Sequence, residues 1–169
     1  MNYKELPPAR YMNYLLEYNS ETGELFWKVR KACNIRPGQT TGRQGSAGYG
    51  TVRIDNQNYK VHRVIWKMVT GEDPGNKKVD HRDRDPSNNK WDNLRISTSS
   101  QNGINSGIFS TNTSGYKGVS RHKKSWRVSI WKDGKRYGKA GYKSLGEAAL
   151  AYNSLALELH GEFAYLNPV

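Results

Sequence analysis

The sequence predicts an α+β chain made of two modules, and three observations carry that prediction. Charge is concentrated in one stretch, a second stretch is too polar to pack, and the hydrophobic period changes from strand-like to helix-like near the C-terminus. Of a formal net charge of +12 over 169 residues, residues 116–143 hold +9, ten Lys/Arg against Asp133 alone. Residues 1–112 hold 17 basic and 11 acidic residues, and residues 144–169 hold Glu147, Glu158 and Glu162 with no Lys or Arg. Such a distribution selects a polyanion as partner. Between these regions, residues 103–115 are Gly, Ser, Thr or Asn at ten of thirteen positions. They bury too little apolar surface to offset the entropy of ordering them, so they are expected as a flexible linker between modules 1–102 and 116–169. Two small cores suit a chain that is 35% hydrophobic with a mean hydropathy of −0.90.

No apolar run is long enough for a membrane span, and the start through Pro8 lacks the apolar stretch of a secretory leader. The chain is therefore expected to be soluble and to act where it is made. A lone Cys33 excludes a disulfide within the chain and any zinc site built from two or more cysteines.

In the C-terminal module, Tyr116–Arg121, Ser125–Lys132 and Lys135–Tyr142 read as three antiparallel strands, the last two joined by the hairpin pair Asp133-Gly134. Trp126, Val128 and Ile130 alternate with Arg127, Ser129 and Trp131, so one face is apolar and the other polar and aromatic. Gly146–His160 follows as a helix, with Tyr152, Leu155, Ala156 and Leu159 on one stripe and Gly161 as its stop. Because this helix carries acids and no Lys or Arg, it is expected to back the sheet, leaving the sheet to meet nucleic acid. The sheet supplies Lys117, Arg121, Lys123, Lys124, Arg127 and Arg136 among its ten basic residues, with Trp131 exposed among them. A three-stranded sheet in the major groove of double-stranded DNA is the inference.

Tyr116-Lys117-Gly118-Val119, the strand Trp126 to Ile130, Glu147-Ala148-Ala149-Leu150-Ala151-Tyr152-Asn153 and the ending Gly161 to Asn167 resemble the AP2 DNA-binding domain. The resemblance implies a sheet laid in the groove and backed by one helix, with Lys117 at a DNA-binding position that is usually Arg in the family and Arg136 matching a contact Arg. Ser120, Ser129 and Trp131 depart from the residues of plant members, so it implies groove binding without a base preference.

In the N-terminal module, Pro8–Tyr18 is expected as a short helix and Asn19–Lys28 as a hairpin around Thr22-Gly23. Gly50–Ile54 and Tyr59–Val61 form a second hairpin across residues 55–58. His62–Val69 is an amphipathic helix with Val64, Ile65 and Met68 inward. The chemistry follows, in residues 79–95. Asp80 offers a hard oxygen ligand beside His81, which accepts a proton near neutral pH. Ser97-Thr98 cap a helix that begins near Ser99 and carries Asn102. A carboxylate plus an amide oxygen leaves most of the coordination sphere of Mg²⁺ open, and His81 is placed to activate water, provided that the strand twists or ends at this dipeptide.

Asp80-His81, Asn93-Leu94-Arg95 and Ser100-Gln101-Asn102, preceded by Tyr59 to Trp66, resemble the HNH motif of phage and intron-encoded homing endonucleases. That resemblance covers roughly residues 10–105 and implies a ββα-metal fold. It implies one divalent cation, Mg²⁺ or Mn²⁺, held by Asp80 and Asn102, with His81 as general base. It further implies Asn93 as the residue that fixes the loop, Arg63 and Arg95 as phosphate contacts, and a structural role for His62. With one cysteine, the structural zinc of some members is not expected. The function so implied is a phage-encoded DNA endonuclease, nicking or cutting both strands in the host cytoplasm, as monomer or homodimer. The rival is a DNA-binding regulator that retains an inactive HNH fold.

Overall fold

A computed structural model describes residues 4–31, 35–45 and 48–169. Cys33 and the first three residues lie outside them. The chain divides into two compact units, Met1–Ser99 and Ser100–Val169.

The first unit opens with α1 (Ala9–Leu15), which passes directly into β1 (Leu16–Tyr18). The helix expected over 8–18 thus ends as a three-residue strand. A helix of two turns has little stability of its own, and pairing of Leu16 opposite Trp27 on β2 (Leu25–Trp27) takes the last residues. The reversal is held by Asn19 Oδ1, which accepts from the N–H groups of Glu21 and Thr22 at 3.0 and 3.1 Å. β3 (Thr40–Thr41) extends this sheet beside β2, whereas β4 (Arg43–Gln44), β5 (Gly50–Ile54) and β6 (Gln57–Lys60) form another. β5 and β6 are joined by two residues, Asp55 and Asn56, at φ +45° and +63°. This turn is tighter than the four-residue loop expected, because Asp and Asn tolerate the left-handed conformation that a short hairpin turn needs.

α2 (Val61–Thr70) ends at Gly71, whose left-handed φ of +78° lets its N–H donate to Lys67 O at 2.9 Å. Its inward residues Val64 and Ile65 are fully buried against Met12, Leu16, Leu25, Val52 and Ile54. Lys67, although charged, is buried too, and its ammonium donates to Leu6 O at 2.8 Å and Asp73 Oδ2 at 3.1 Å. β7 (Lys78–His81) and β8 (Leu94–Ser97) close the unit as an antiparallel pair.

The second unit begins within α3 (Ser99–Asn105). The last turn of α3 therefore overlaps the expected linker at residues 103–105. Farther along that segment, Asn112 Oδ1 accepts from the N–H groups of Ser114 and Gly115, and Ser114 Oγ donates to Val119 O at 2.7 Å. Residues 112–115 order themselves through their own short polar side chains, a use of Asn and Ser that composition alone does not distinguish from a linker.

The three expected strands are five: β9 (Val119–His122), β10 (Ser125–Val128), β11 (Ile130–Lys132), β12 (Lys135–Tyr137) and β13 (Ala140–Tyr142). They make a sheet in the order β13-β10-β9 and a separate β11-β12 hairpin. The break falls at Ser129 and Gly138. Gly138 sits at φ +112° with no room for a side chain, since a Cβ would lie 2.3 Å from Val128 O, and Ser129 N–H turns away to Gly118 O at 2.8 Å. α4 (Leu145–His160) starts one residue earlier than expected because Ser144 Oγ caps it, accepting from Glu147 N–H at 3.1 Å, while Glu147 Oε2 accepts from Lys143 N–H at 3.0 Å. Ala148, Tyr152 and Ala156 of α4 bury Val119, Val128 and Ile130.

Gly118 rests on the Tyr152 ring at φ +68°, where a Cβ would come within 2.2 Å of the ring. Gly118→Ala is expected to destabilise the C-terminal unit by about 2–4 kcal/mol, combining left-handed strain with overpacking. Urea unfolding followed by Trp fluorescence measures it, and an unchanged midpoint for that unit would refute the packing.

Candidate active site

β7 and β8 are only four residues each, and their register sets the site. Asp80 stands directly opposite Arg95, and His81 opposite Leu94. Arg95 Nε donates to Asp80 Oδ2 at 3.0 Å and its Nη2 lies 2.9 Å from the same oxygen, with the residues 5% and 8% exposed. A charge pair so deeply buried survives because each partner offsets the other's desolvation. Arg95 is therefore directed at Asp80, which differs from the phosphate contact expected of it. Arg63 differs likewise. Its Nη1 donates to Lys77 O at 2.9 Å and its Nη2 to Gly75 O at 2.8 Å, so it clasps the loop that enters β7.

His81 is the last residue of β7 and is 3% exposed. Its Nε2 lies 3.1 Å from Asn89 Oδ1, and Asn89 Nδ2 donates to Ser87 O at 3.2 Å. With the amide nitrogen committed to a carbonyl, the amide oxygen faces the imidazole, so Nε2 is the donor. In the neutral ring Nδ1 then carries the lone pair. Asn89 is the residue that the sequence reading missed. In sequence it is one polar residue among several in a loop, and nothing local distinguishes it from Asn88.

The loop between the strands is held from within and from outside. Asn93 Oδ1 accepts from Asp83 N–H at 3.0 Å, and its Nδ2 donates to Asp83 Oδ1 and Asn88 O at 2.9 and 2.8 Å. Burial raises the Asp83 carboxyl, but donors from Asp85 N–H, Asn88 and Asn93 outweigh it and hold the carboxyl below its ordinary range. From outside, Tyr18 Oη donates to Asn89 O at 2.8 Å, and Trp91 N–H donates to Ser20 O at 3.2 Å. Gly23 approaches so closely that a Cβ there would sit 2.7 Å from the Asn89 and Lys90 backbone. The N-terminal hairpin is thus the buttress of the loop between β7 and β8.

His62 packs edge-on to His81 with ring centroids 5.1 Å apart, and Tyr49 lies 5.4 and 6.0 Å from the two rings. Burial, with the His81 charge second, pushes His62 down to about 3, so it is neutral at any working pH. Its Nδ1 has no hydrogen-bond partner.

Asn102 lies in α3 of the second unit. Among the described residues no three His, Cys, Asp or Glu side chains gather as a metal cluster. A site made of one carboxylate and one amide oxygen would not form such a group, and both donors are hard oxygens of the kind that Mg²⁺ or Mn²⁺ takes.

The basic residues of the C-terminal unit separate by face. Trp131, 64% exposed, pairs with Arg136 across β11 and β12, and Arg127 pairs with Ser120. By strand alternation Trp131 and Arg136 lie on the face opposite buried Ile130, and Arg127 on the face opposite buried Val128. Arg121 instead shares the face of Val119, and its guanidinium lies 5.0 Å from the Trp126 ring centre. Lys123 and Lys124 form the β9–β10 turn, Lys123 at φ +54°. Lys117 leaves the sheet, its Nζ donating to Ile104 O and Ser106 O at 2.6 Å. No helix among the described residues is long and apolar enough to cross a membrane.

His62 gives a pH dependence with a definite sign. The unfolded side chain protonates near its ordinary 6.5 and the folded one near 3, so the unfolded state binds the extra proton between those values. The stability contributed by neutral His62 is complete above that window and falls as the pH drops through it. From pH 7 to pH 5 the loss is expected to be about 2 kcal/mol, and His62→Leu should remove it. Thermal unfolding of both proteins at the two pH values checks this.

Residues 59–104 match the family described as HNH endonuclease. Protein 3.8 of Escherichia phage T7 is 33% identical over 105 residues, which are 61% of this chain and 86% of that protein. An HNH endonuclease of Acanthamoeba polyphaga mimivirus is 33% identical over 126 residues, 74% of this chain and 65% of that protein. No solved structure matches the chain. The hairpin that pairs Asp80 with Arg95 and the helix that follows it fall inside the matched segment, and the chain belongs to the viral family of the phage Protein 3.8, with residues 59–104 as its HNH endonuclease domain.

Proposed function

We propose that the chain is a metal-dependent DNA endonuclease of the homing-endonuclease type that hydrolyses phosphodiester bonds in duplex DNA. The observation that carries this reading is the pairing of two separately anchored groups at the end of β7. Asp80 is fixed by Arg95, and its neighbour His81 is fixed by Asn89. Both belong to the HNH segment.

In this reading Asp80 and the Asn102 side-chain oxygen hold one divalent cation, Mg²⁺ or Mn²⁺. When bound, that ion supplies positive charge against the scissile phosphate. The protein's own groups do the rest. Arg95 orients the Asp80 carboxylate as an outer partner of the kind that metal ligands use. His81, its ring held by Asn89, takes the proton of the attacking water. Neutral His62 packs against the ring and adds no competing charge.

The C-terminal unit is assigned to duplex binding as an AP2-like sheet, with Arg127, Trp131 and Arg136 on its outer face and Lys123 and Lys124 at a turn. The concentration of ten basic residues in 116–143 supports this. Two viral relatives, one of them from a phage, support a phage-encoded chain, and the host cytoplasm is its proposed place of action.

The variant His81→Ala is expected to lose at least about 100-fold in cleavage of supercoiled plasmid with Mg²⁺ while retaining DNA binding, because the base acts after the complex forms. Wild-type cutting by that variant would remove His81 from the role, and an intact chain that binds without cutting in any divalent metal would return the regulator reading. Binding itself should weaken with salt along a slope near roughly −5 if about six basic residues each neutralise a phosphate. A fluorescence-anisotropy titration measures the slope, and a value near zero would take the sheet out of the interface.

A further inference from the structure

Lys117 occupies a position that the AP2 resemblance assigns to DNA, yet its ammonium is already engaged. Nζ donates to Ile104 O and to Ser106 O, both at 2.6 Å, and lies 5.0 Å from the Tyr165 ring centre. Ile104 is in the last turn of α3 and Ser106 lies just beyond its end. The final carbonyls of a helix lack partners within the helix and form the negative end of its dipole. An ammonium with three donors satisfies both needs at once.

The backbone of Lys117 is held as firmly as its side chain. Asn167, 3% exposed, accepts from Lys117 N–H through Oδ1 at 2.7 Å and donates through Nδ2 to Lys117 O at 3.1 Å. The Asn167 main chain is bracketed in the same way by the Asn153 side chain of α4, at 2.7 and 2.9 Å. A series of amide clamps therefore runs from α4 through the C-terminal tail to Lys117, and the Lys117 side chain carries it on to α3. The helix at the end of this series has seven residues, too few to persist without tertiary support.

We propose that Lys117 is a positioning residue that fixes the C-terminal end of α3, and with it Asn102, and that it is not a phosphate contact. A phosphate reaching for the same ammonium would have to displace two charge-assisted hydrogen bonds and the Tyr165 ring. The link to catalysis rests on the reading of Asn102 as a metal ligand.

The test uses the full chain carrying Lys117→Met, with Lys117→Arg and Lys117→Gln beside it, and three readouts. The Met variant is expected to keep duplex affinity within about twofold and an unchanged salt slope, because no phosphate contact is lost. Its amides at residues 102–106 should exchange at least about tenfold faster, since the end of the helix opens locally. Half-maximal cleavage should need about tenfold more Mg²⁺, in line with loss of an outer support of a metal ligand. Arg, which reaches both carbonyls, should restore protection, and Gln, with one donor group, should fall between. If the Met variant does not fold, Gln and Arg decide the matter: a strut leaves the slope of Gln at the wild-type value, whereas a phosphate contact lowers it by about 0.9. Exchange at wild-type rates together with a shallower slope would overturn the proposal. Asn102→Ala separates it from the reading beneath it: wild-type cleavage by that variant would remove the ligand role while leaving the exchange result to judge the strut.

Discussion

A carboxylate and a guanidinium buried together between two four-residue strands leave the β7–β8 hairpin no freedom of register. Asp80 and Arg95 face each other across the ladder, and sliding one strand by a single residue would put the two charges on opposite faces, each without its partner. A charge stranded in that way costs about 3–5 kcal/mol, comparable with the stability of a small domain. The pair is therefore less a source of stability than a filter against misaligned pairings. Two of the proposed site residues are placed by that filter: His81 as the last residue of β7 and Asn93 at the entry to β8.

Around this fixed ladder the loop 82–93 is organised by polar side chains. Asp83, Asn88, Asn89 and Asn93 bond to one another and to the backbone, with Tyr18, Ser20 and Gly23 closing in from the N-terminal hairpin. Such a network has short side chains and little rotamer freedom to lose, so order is achieved without an apolar core. It also accounts for the size of the first unit. The helix and hairpin that precede the HNH segment carry none of the proposed chemistry, but they form one core with α2 and press on the loop that holds His81.

The parts of this arrangement that were legible in the sequence are those with a local signature. Asp80-His81 and Asn93 stand out by residue type and spacing, α2 by its period, and α4 by its alanine-rich stripe and Gly161. The parts that were not legible depend on partners far away in the chain. Nothing near Arg95 says that it will turn to Asp80 fifteen residues back, and nothing near Lys117 says that it will reach carbonyls at 104 and 106. Lysine and arginine in a basic stretch read as ligands for phosphate until the structure supplies a carbonyl or carboxylate at closer range. The β10–β11 break was hidden for a related reason: alternation of Trp126, Val128 and Ile130 runs straight through Ser129, and only the approach of Gly138 to Val128 reveals the kink. Asp55-Asn56 shows the same in miniature, since a two-residue or four-residue turn depends on which backbone the pair adopts.

The helical state of α3 bears on how long the molecule keeps its chemical identity. Asn102 is followed by Gly103, and an Asn-Gly pair in a flexible chain cyclises readily, the glycine nitrogen attacking the side-chain amide carbon and expelling ammonia. The ring then opens to aspartate or isoaspartate, exchanging a neutral oxygen donor for a charged one or inserting an extra backbone carbon. Within Ser99–Asn105 the helical backbone turns the Gly103 nitrogen away from that carbon. The short helix thus serves as a guard against ageing: while its end stays wound, the proposed ligand remains an asparagine.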